Sequence, residues 1–362
     1  MAGAEGGLDY AARTEWLRGE GPLSDVVISS RVRLARNISG LPFPSRCQRL
    51  DRLHSLDMAR GSLEGAEIGL RLAWIELHRA TALERTLLVE RHLISKQHSR
   101  GRGGAVASHE DPRGVAVGLP DERVSVMVNE EDHLRVQVVR SGFQLAELWE
   151  HATGIDDRIE ASGLRFAFNR RFGYLTACPT NVGTGLRMSV MMHLPALKLT
   201  GDLEKVKRAA SDMNLAVRGF YGEGSEAAGD FYQFSNQTTL GKSEVAILRE
   251  LEQIIPQIVE YERVARRGML SKRSAVLEDC AWRALGTLSS ARLISAEEAM
   301  QLLSHLRLGV ISGVMAHVDH ATVNDLMLQI QPGHLQKLME KELDQEARRA
   351  ARSELLRRRL KL

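Results

Sequence analysis

The run VSVMVNEEDHLRVQVV, residues 124–139, constrains the fold more than any other segment. Apolar residues alternate on both sides of its acidic centre, with Val124, Val126 and Val128 sharing one side. A period of two is the signature of a strand, because successive side chains point to opposite faces. The run therefore predicts two strands joined at or near the charged centre. Three consecutive carboxylates in an apolar frame are costly to bury unless they meet cations. A loop tip is the other reading, and it is weakened because the apolar alternation resumes directly after Arg135.

Further strand signals stand at residues 24–38, LRMSVMMHL, VRGFYGEG and FYQFSNQTTL, and LRFAFNRRFGYLTAC carries a hairpin break at Asn-Arg-Arg-Phe-Gly. Residues 62–92 show helical spacing through Leu63, Ile68, Leu72, Ile75, Leu83 and Leu87, and residues 97–122 read as a Gly-rich loop with one short strand. Beyond Gly241 the pattern turns helical: an amphipathic stretch from Lys242 to Arg267 interrupted at Pro256, a helix opened by Ser295 and Glu298, and a last helix through Leu335, Leu338, Met339, Leu343 and Leu355. Strands without regular βαβ alternation predict an α+β fold, a large antiparallel sheet flanked by helices over residues 1–255. Residues 256–362 are expected to form an all-helical domain.

No apolar run approaches the roughly 20 residues that span a bilayer, and the N-terminus lacks a secretory signal. A cytoplasmic protein with no membrane partner is expected. Cys47, Cys178 and Cys280 are too scattered for a disulfide framework or a CxxC metal site. A net charge of +3 argues neither for nor against nucleic acid, and no nucleic-acid partner is expected; residues 341–362, however, hold eight Lys or Arg against four Asp or Glu. That tail is either a solvated helix face or a docking surface for an acidic or phosphorylated partner.

Four short segments hold the chemistry. In Ser29-Ser30-Arg31-Val32-Arg33, two arginines two apart on a strand project together, either to clamp a polyanion or as solvated edge charges. The acidic centre offers Glu131 beside Arg135. CPTNVGTGLR supplies Cys178, a turn and Arg187; such a cysteine is either an inert small hydrophobe or a thiolate favoured by nearby cations. RGFYGEGSE supplies Arg218 and Glu223 in a Gly-rich loop. None of these is a Walker A loop or a protein-kinase motif set. If ATP binds, arginines must hold its phosphates, and phosphoryl transfer asks chiefly for in-line positioning and positive charge. Carboxylates match a planar guanidinium fork, so the acidic residues would suit a guanidinium acceptor.

Taken together, S-x-R-x-R, NEEDH with Arg135, CPTNVGTGLR and RGFYGEGSE resemble the ATP:guanido phosphotransferases, or phosphagen kinases. VISSRVRLARN, LVERHLIS, LRMSVMMHLPAL and QFSNQTTLGKSE resemble their bacterial protein-arginine kinase branch. The resemblance spans residues 24 to 250 and, more loosely, the tail. It implies a phosphagen kinase-like catalytic domain that transfers the ATP γ-phosphoryl group to arginine side chains of proteins. Magnesium would be held mainly through the phosphates. It implies Glu131 as catalytic base, Glu223 as second guanidinium clamp and Cys178 against the substrate guanidinium. Arg31, Arg33, Arg135, Arg187 and Arg218 would hold phosphates, and His92 would contact the nucleotide. Ser29, Ser30 and Ser189 would stand beside them. Without the resemblance, His92 reads as a helix-end or core histidine.

Phosphagen kinases carry a helical domain ahead of the sheet, whereas only about two dozen residues precede Val26 here. That order favours a protein-borne arginine over the alternatives, a free-guanidine phosphagen kinase or a non-catalytic phosphoarginine-binding adaptor. The resemblance further implies a homodimer, a zinc-binding activator protein, and phosphoarginine as a mark read by the Clp protease in stress response. The tail motif R-D-x-x-R-A of that branch, which binds phosphoarginine, is Arg348-Arg349-Ala350-Ala351-Arg352-Ser353 here. Arg349 stands where a carboxylate would meet the ligand guanidinium.

Overall fold

The structure, a computed structural model, describes residues 8–10, 12–101, 111–219 and 228–360. Its strands are β1 (Val27–Arg36), β2 (Arg71–Glu76), β3 (Gly114–Leu119), β4 (Val124–Val128), β5 (Leu134–Ser141), β6 (Phe168–Asn169), β7 (Gly173–Tyr174), β8 (Leu186–His193), β9 (Leu215–Gly219) and β10 (Phe231–Asn236). Eight form one antiparallel sheet in the order β2-β3-β4-β5-β1-β8-β10-β9, and β6–β7 is the expected hairpin. The acidic centre joins β4 to β5 as the alternation predicts.

The helices are α1 (Arg49–Gly65), α2 (Ala82–Glu90), α3 (Lys96–Arg100), α4 (Leu145–Ala161), α5 (Pro195–Thr200), α6 (Leu203–Asp212), α7 (Glu244–Lys272), α8 (Ser274–Ser290), α9 (Ala296–Ile311), α10 (His320–Gln329), α11 (Pro332–Leu338) and α12 (Gln345–Arg359). Among the described residues no helix is long and apolar enough to cross a membrane.

The alternation within the strands divides the sheet into two unlike faces. Val32 and Leu34 of β1, Val126 and Val128 of β4, Val136 and Val138 of β5, and Met188 and Val190 of β8 enter one core with Leu56 of α1, Leu148 of α4 and Leu251 of α7. Residues of opposite parity face the other way. One end of that second face is apolar. Val139, Met191 and Phe231, with Ile28 brought to this face by a register shift between Val27 and Ser29, join Trp16, and the helices after α7 cover them with Leu285, Leu303, Leu326, Leu335 and Leu356. The other end holds the polar and cationic residues described below.

Several expectations need correction. Leu72 and Ile75 lie on β2, not on a helix through residues 62–92; α1 stops at Gly65, Gly69 takes φ +76°, and α2 starts at the Thr81–Glu84 capping box. As an edge strand, β2 has no residue fully buried, so its side chains show no clean alternation. Pro256 does not interrupt α7. Ile254, Ile255, Ile258 and Val259 are buried around it. Burial is worth about 1.5–3 kcal/mol for each such side chain, and the four together exceed the roughly 3 kcal/mol cost of a mid-helix proline. The division expected at residue 255 falls inside α7, and the chain turns only at Arg273. The last helix is two, because Leu343 lies in a connector and Asp344 caps α12.

Candidate active site

β1 lies at the centre of the sheet, and its register places the arginines. Arg33 is opposite Arg187 of β8 on one side and Gln137 of β5 on the other; Arg31 is opposite Ser189, and Ala35 opposite Arg135. Arg218 of β9 is opposite Gln233 of β10. All share the parity that points away from the main core. Arg31, Arg33, Arg135, Arg187 and Arg218 therefore line one cavity of about 280 Å³, closed on other sides by His92, Ser95, Lys96, Glu130, Glu131 and Cys178.

The cavity is strongly cationic. Burial, and then Arg187 and Arg135, bring the Arg31 guanidinium down to about 10. Burial, and then Arg31, Arg135 and Arg187, hold Arg33 well below its ordinary value. Arg31 donates to Gln233 Oε1 at 2.7 Å and to Ser189 Oγ at 3.4 Å. Arg187 donates to Ser235 Oγ at 3.2 Å. The buried Arg33 Nε has no acceptor among the described residues. Clustered guanidiniums with an orphaned donor are a fit for a polyphosphate, because a buried donor left unmatched costs about 1–3 kcal/mol and anionic oxygens match it.

The three carboxylates of the β4–β5 join meet three fates. Glu130 is buried and accepts from Arg135 Nη2 at 2.7 Å, from Ser95 Oγ at 2.6 Å and from the Glu131 amide at 2.8 Å. Burial pushes it up, but Arg135 and the hydrogen bonds leave it below its ordinary value. Asp132 forms no ion pair among the described residues; it accepts from Asn37 Nδ2 at 2.7 Å and the Ala177 amide at 2.6 Å, and burial raises it. Glu131 remains 34% exposed at the cavity wall and accepts from Arg135 Nη2 at 3.2 Å. Burial raises it, Arg135 opposes, and Glu130 and Asp132 help to keep it high. Cys178 hydrogen-bonds this carboxylate and stands 3.0 Å from Thr180 Oγ1. A basic carboxylate, a thiol and an arginine cage thus share one wall.

His92 also lines the cavity, at φ +59° and edge-on to Trp16 with ring centroids 4.5 Å apart. Burial, Arg31 and Lys96 bring it down to about 3, so its ring is neutral. Ser189 and Ser29 border a small recess beside His92. Ser30 does not belong with them. It shares the parity of Val32, points to the opposite face, donates to Gly142 O at 2.8 Å and accepts from the Gln144 amide at 3.1 Å. Glu223 lies outside the described residues. Sequence reasoning passed over Gln137, Gln233 and the Ser95-Lys96-Gln97 turn. For the two glutamines, strand parity was an available signal.

Among the described residues no group of three or more His, Cys, Asp and Glu could hold a metal ion. In the tail, Arg352 is buried and donates to Ile330 O at 2.7 Å and Ile294 O at 3.0 Å, which ties α12 to the chain ahead of α9 and α11.

Comparison with known proteins agrees with this geometry. Residues 57–265 match the family described as ATP:guanido phosphotransferase, C-terminal catalytic domain. Residues 274–362 match the protein-arginine kinase McsB C-terminal domain. The chain is 46% identical over 353 residues to the protein-arginine kinase of Symbiobacterium thermophilum, covering 96% of this chain and 97% of that one. It is 43% identical over 351 residues to that of Halothermothrix orenii, with 96% and 97% covered. Among solved structures, lombricine kinase superposes with a TM-score of 0.56 at 27% identity over 72% of each chain. The duplicated taurocyamine kinase of Schistosoma mansoni, with bound transition-state analog components, gives 0.56 at 26% over 70% of this chain and 35% of that one.

Proposed function

The chain belongs to the ATP:guanido phosphotransferase family, and from that premise we propose that it transfers the γ-phosphoryl group of ATP to the guanidinium of arginine residues in proteins. One observation carries this reading: five arginines of four strands converge on one cavity whose wall also holds Glu131. The near full-length match to proteins named protein-arginine kinase supports a protein-borne acceptor over a free guanidine.

In this reading the five arginines hold the phosphates and offset the charge that spreads over the moving phosphoryl group. Magnesium, when bound to the phosphates, adds Lewis-acid neutralisation. Glu131 faces the acceptor. As the N–P bond forms and the bond to the β,γ-bridging oxygen breaks, one guanidinium proton passes to its carboxylate, and ADP leaves with the bond pair. An arginine side chain has a pKa of about 12.5–13.8, so even a raised carboxylate is a weak base for it. Positioning must then supply much of the rate. Cys178 would help hold the guanidinium, and Glu223 is the proposed second clamp.

Incubation with ATP, magnesium and an unfolded arginine-containing protein should give acid-labile phosphate on that protein. Phosphorylation of free arginine alone would move the assignment to a phosphagen kinase. Loss of no activity in Glu131→Ala would favour a binding adaptor. Family resemblance supports the rest of the reading: phosphoarginine as a mark for the Clp protease in the cytoplasm under stress, a zinc-binding activator protein and a homodimer. Phosphoarginine mapping and protein turnover in cells with and without this chain would test the mark.

A further inference from the structure

Three consecutive residues at the end of α2 join the helical tail to the cavity. Glu90, the last residue of α2, is 7% exposed. Its carboxylate accepts from the amides of Gly333 at 2.7 Å and His334 at 2.9 Å, and from His334 Nδ1 at 2.7 Å. The partners lie 243 and 244 residues away, in the first turn of α11. Arg91 stands 3.4 Å from His334 Nε2 and donates to Glu122 Oε2 at 2.7 Å. A guanidinium can only donate, so Nε2 accepts and Nδ1 carries the proton toward Glu90. His92 follows, with its ring on the cavity and its carbonyl held by Gln137 Nε2 at 2.7 Å.

His92 adopts a left-handed backbone conformation without being glycine. Such a conformation persists only where the surroundings over-determine it. Its surroundings are Gln137, the Trp16 ring, and the two preceding residues clamped to α11. Trp16 itself packs in the apolar cluster of the tail. Gly333 completes the fit: a Cβ there would stand 2.8 Å from Glu90 Oε2 and 3.0 Å from Thr86 Cγ2. Only a residue without a side chain leaves the carboxylate its seat.

We propose that Glu90 is a positioning residue, through which the helical tail sets His92 at the nucleotide wall. The inference rests on the reading of the cavity as an ATP site. Displacing α11 would then loosen His92 and weaken ATP without touching the arginines or Glu131. The tail is in this way part of the nucleotide site, although none of its described residues lines the cavity.

The test is ATP affinity by equilibrium titration, with kcat and KM, for the wild type, Glu90→Gln, Gly333→Ala, His92→Ala and the Glu90→Gln/His92→Ala double variant. Glu90→Gln and Gly333→Ala should each weaken ATP roughly tenfold with kcat within about twofold, the scale of mutations that act through a packed relay. The double variant should be no weaker than His92→Ala alone, because the two act through one group. Gly333→Ala keeps residue 90 a glutamate but pushes its carboxylate from its seat, and so covers the case in which Glu90→Gln fails to fold. If His92→Ala leaves ATP affinity unchanged, the nucleotide reading of this wall fails. If His92→Ala weakens ATP while Glu90→Gln and Gly333→Ala do not, or if the losses multiply in the double variant, the positioning role is overturned.

Discussion

Replacing Glu131 by glutamine removes the proposed proton acceptor with little else disturbed. The amide keeps the shape, and its carbonyl can still accept from Arg135, now 3.2 Å from Glu131 Oε2. The side chain is a third exposed, so folding stability should change by no more than about 0.5 kcal/mol. A positioned general base contributes about 10²–10⁴ in rate, which at roughly 1.36 kcal/mol per tenfold is about 3–5 kcal/mol of barrier. We expect kcat to fall by that factor. KM for ATP should stay within about threefold, because all five arginines remain and uniform binding is untouched. The pH profile adds a sign. Burial, with Glu130 and Asp132, holds Glu131 above its ordinary 4.5. Only the carboxylate accepts a proton, so wild-type kcat/KM falls as pH drops through this raised value, and the acid limb lies above pH 4.5. The glutamine variant should lack that limb. Transfer of labelled γ-phosphate to an unfolded arginine-containing protein, followed across pH, measures both effects. A kcat within tenfold of wild type, with the acid limb retained, would refute the assignment.

Arg33→Gln should weaken ATP by about 10- to 150-fold, the worth of a hydrogen bond to a charged group, and raise apoprotein Tm slightly by relieving repulsion from Arg31, Arg135 and Arg187; titration and thermal melts check both. Asp156→Ala strands Arg36, whose Nη2 lies 2.7 Å from Asp156 Oδ2 with both side chains buried; denaturant unfolding should show a loss of about 3–5 kcal/mol. Glu262 is pushed up to about 7 by burial against an ordinary 4.5. Between those values the folded state binds more protons than the unfolded chain, so wild-type stability falls as pH rises through the window. Glu262→Gln does not titrate, and its Tm relative to wild type should climb from pH 5 to pH 8.

Much of the site was legible because a strand has only two faces. The spacing of Arg31 and Arg33 sufficed to put them together, and the alternation around the acidic centre placed Arg135 opposite the valines. The same rule would have removed Ser30, which shares its parity with Val32. Which strands stand side by side has no such local signal: Arg33 meets Arg187 only because β1 pairs with β8. Edge placement hid β2, and apolar packing carried α7 past Pro256. The Glu90–His334 contact spans 244 residues, and no short-range pattern announces it.

The two-sided character of β1 has an evolutionary and a kinetic corollary. Its hydrogen bonds to β5 and β8 set which side chains meet water and which meet oil. A slip of one residue would turn Val32 and Leu34 into the cleft and drive Arg31 and Arg33 into the hydrocarbon interior. Misalignment therefore abolishes the fold together with the chemistry, so a chain that escapes proteolysis is already sorted for catalytic competence. Point changes elsewhere can drift, but an insertion or deletion within this strand should be absent from any working homologue.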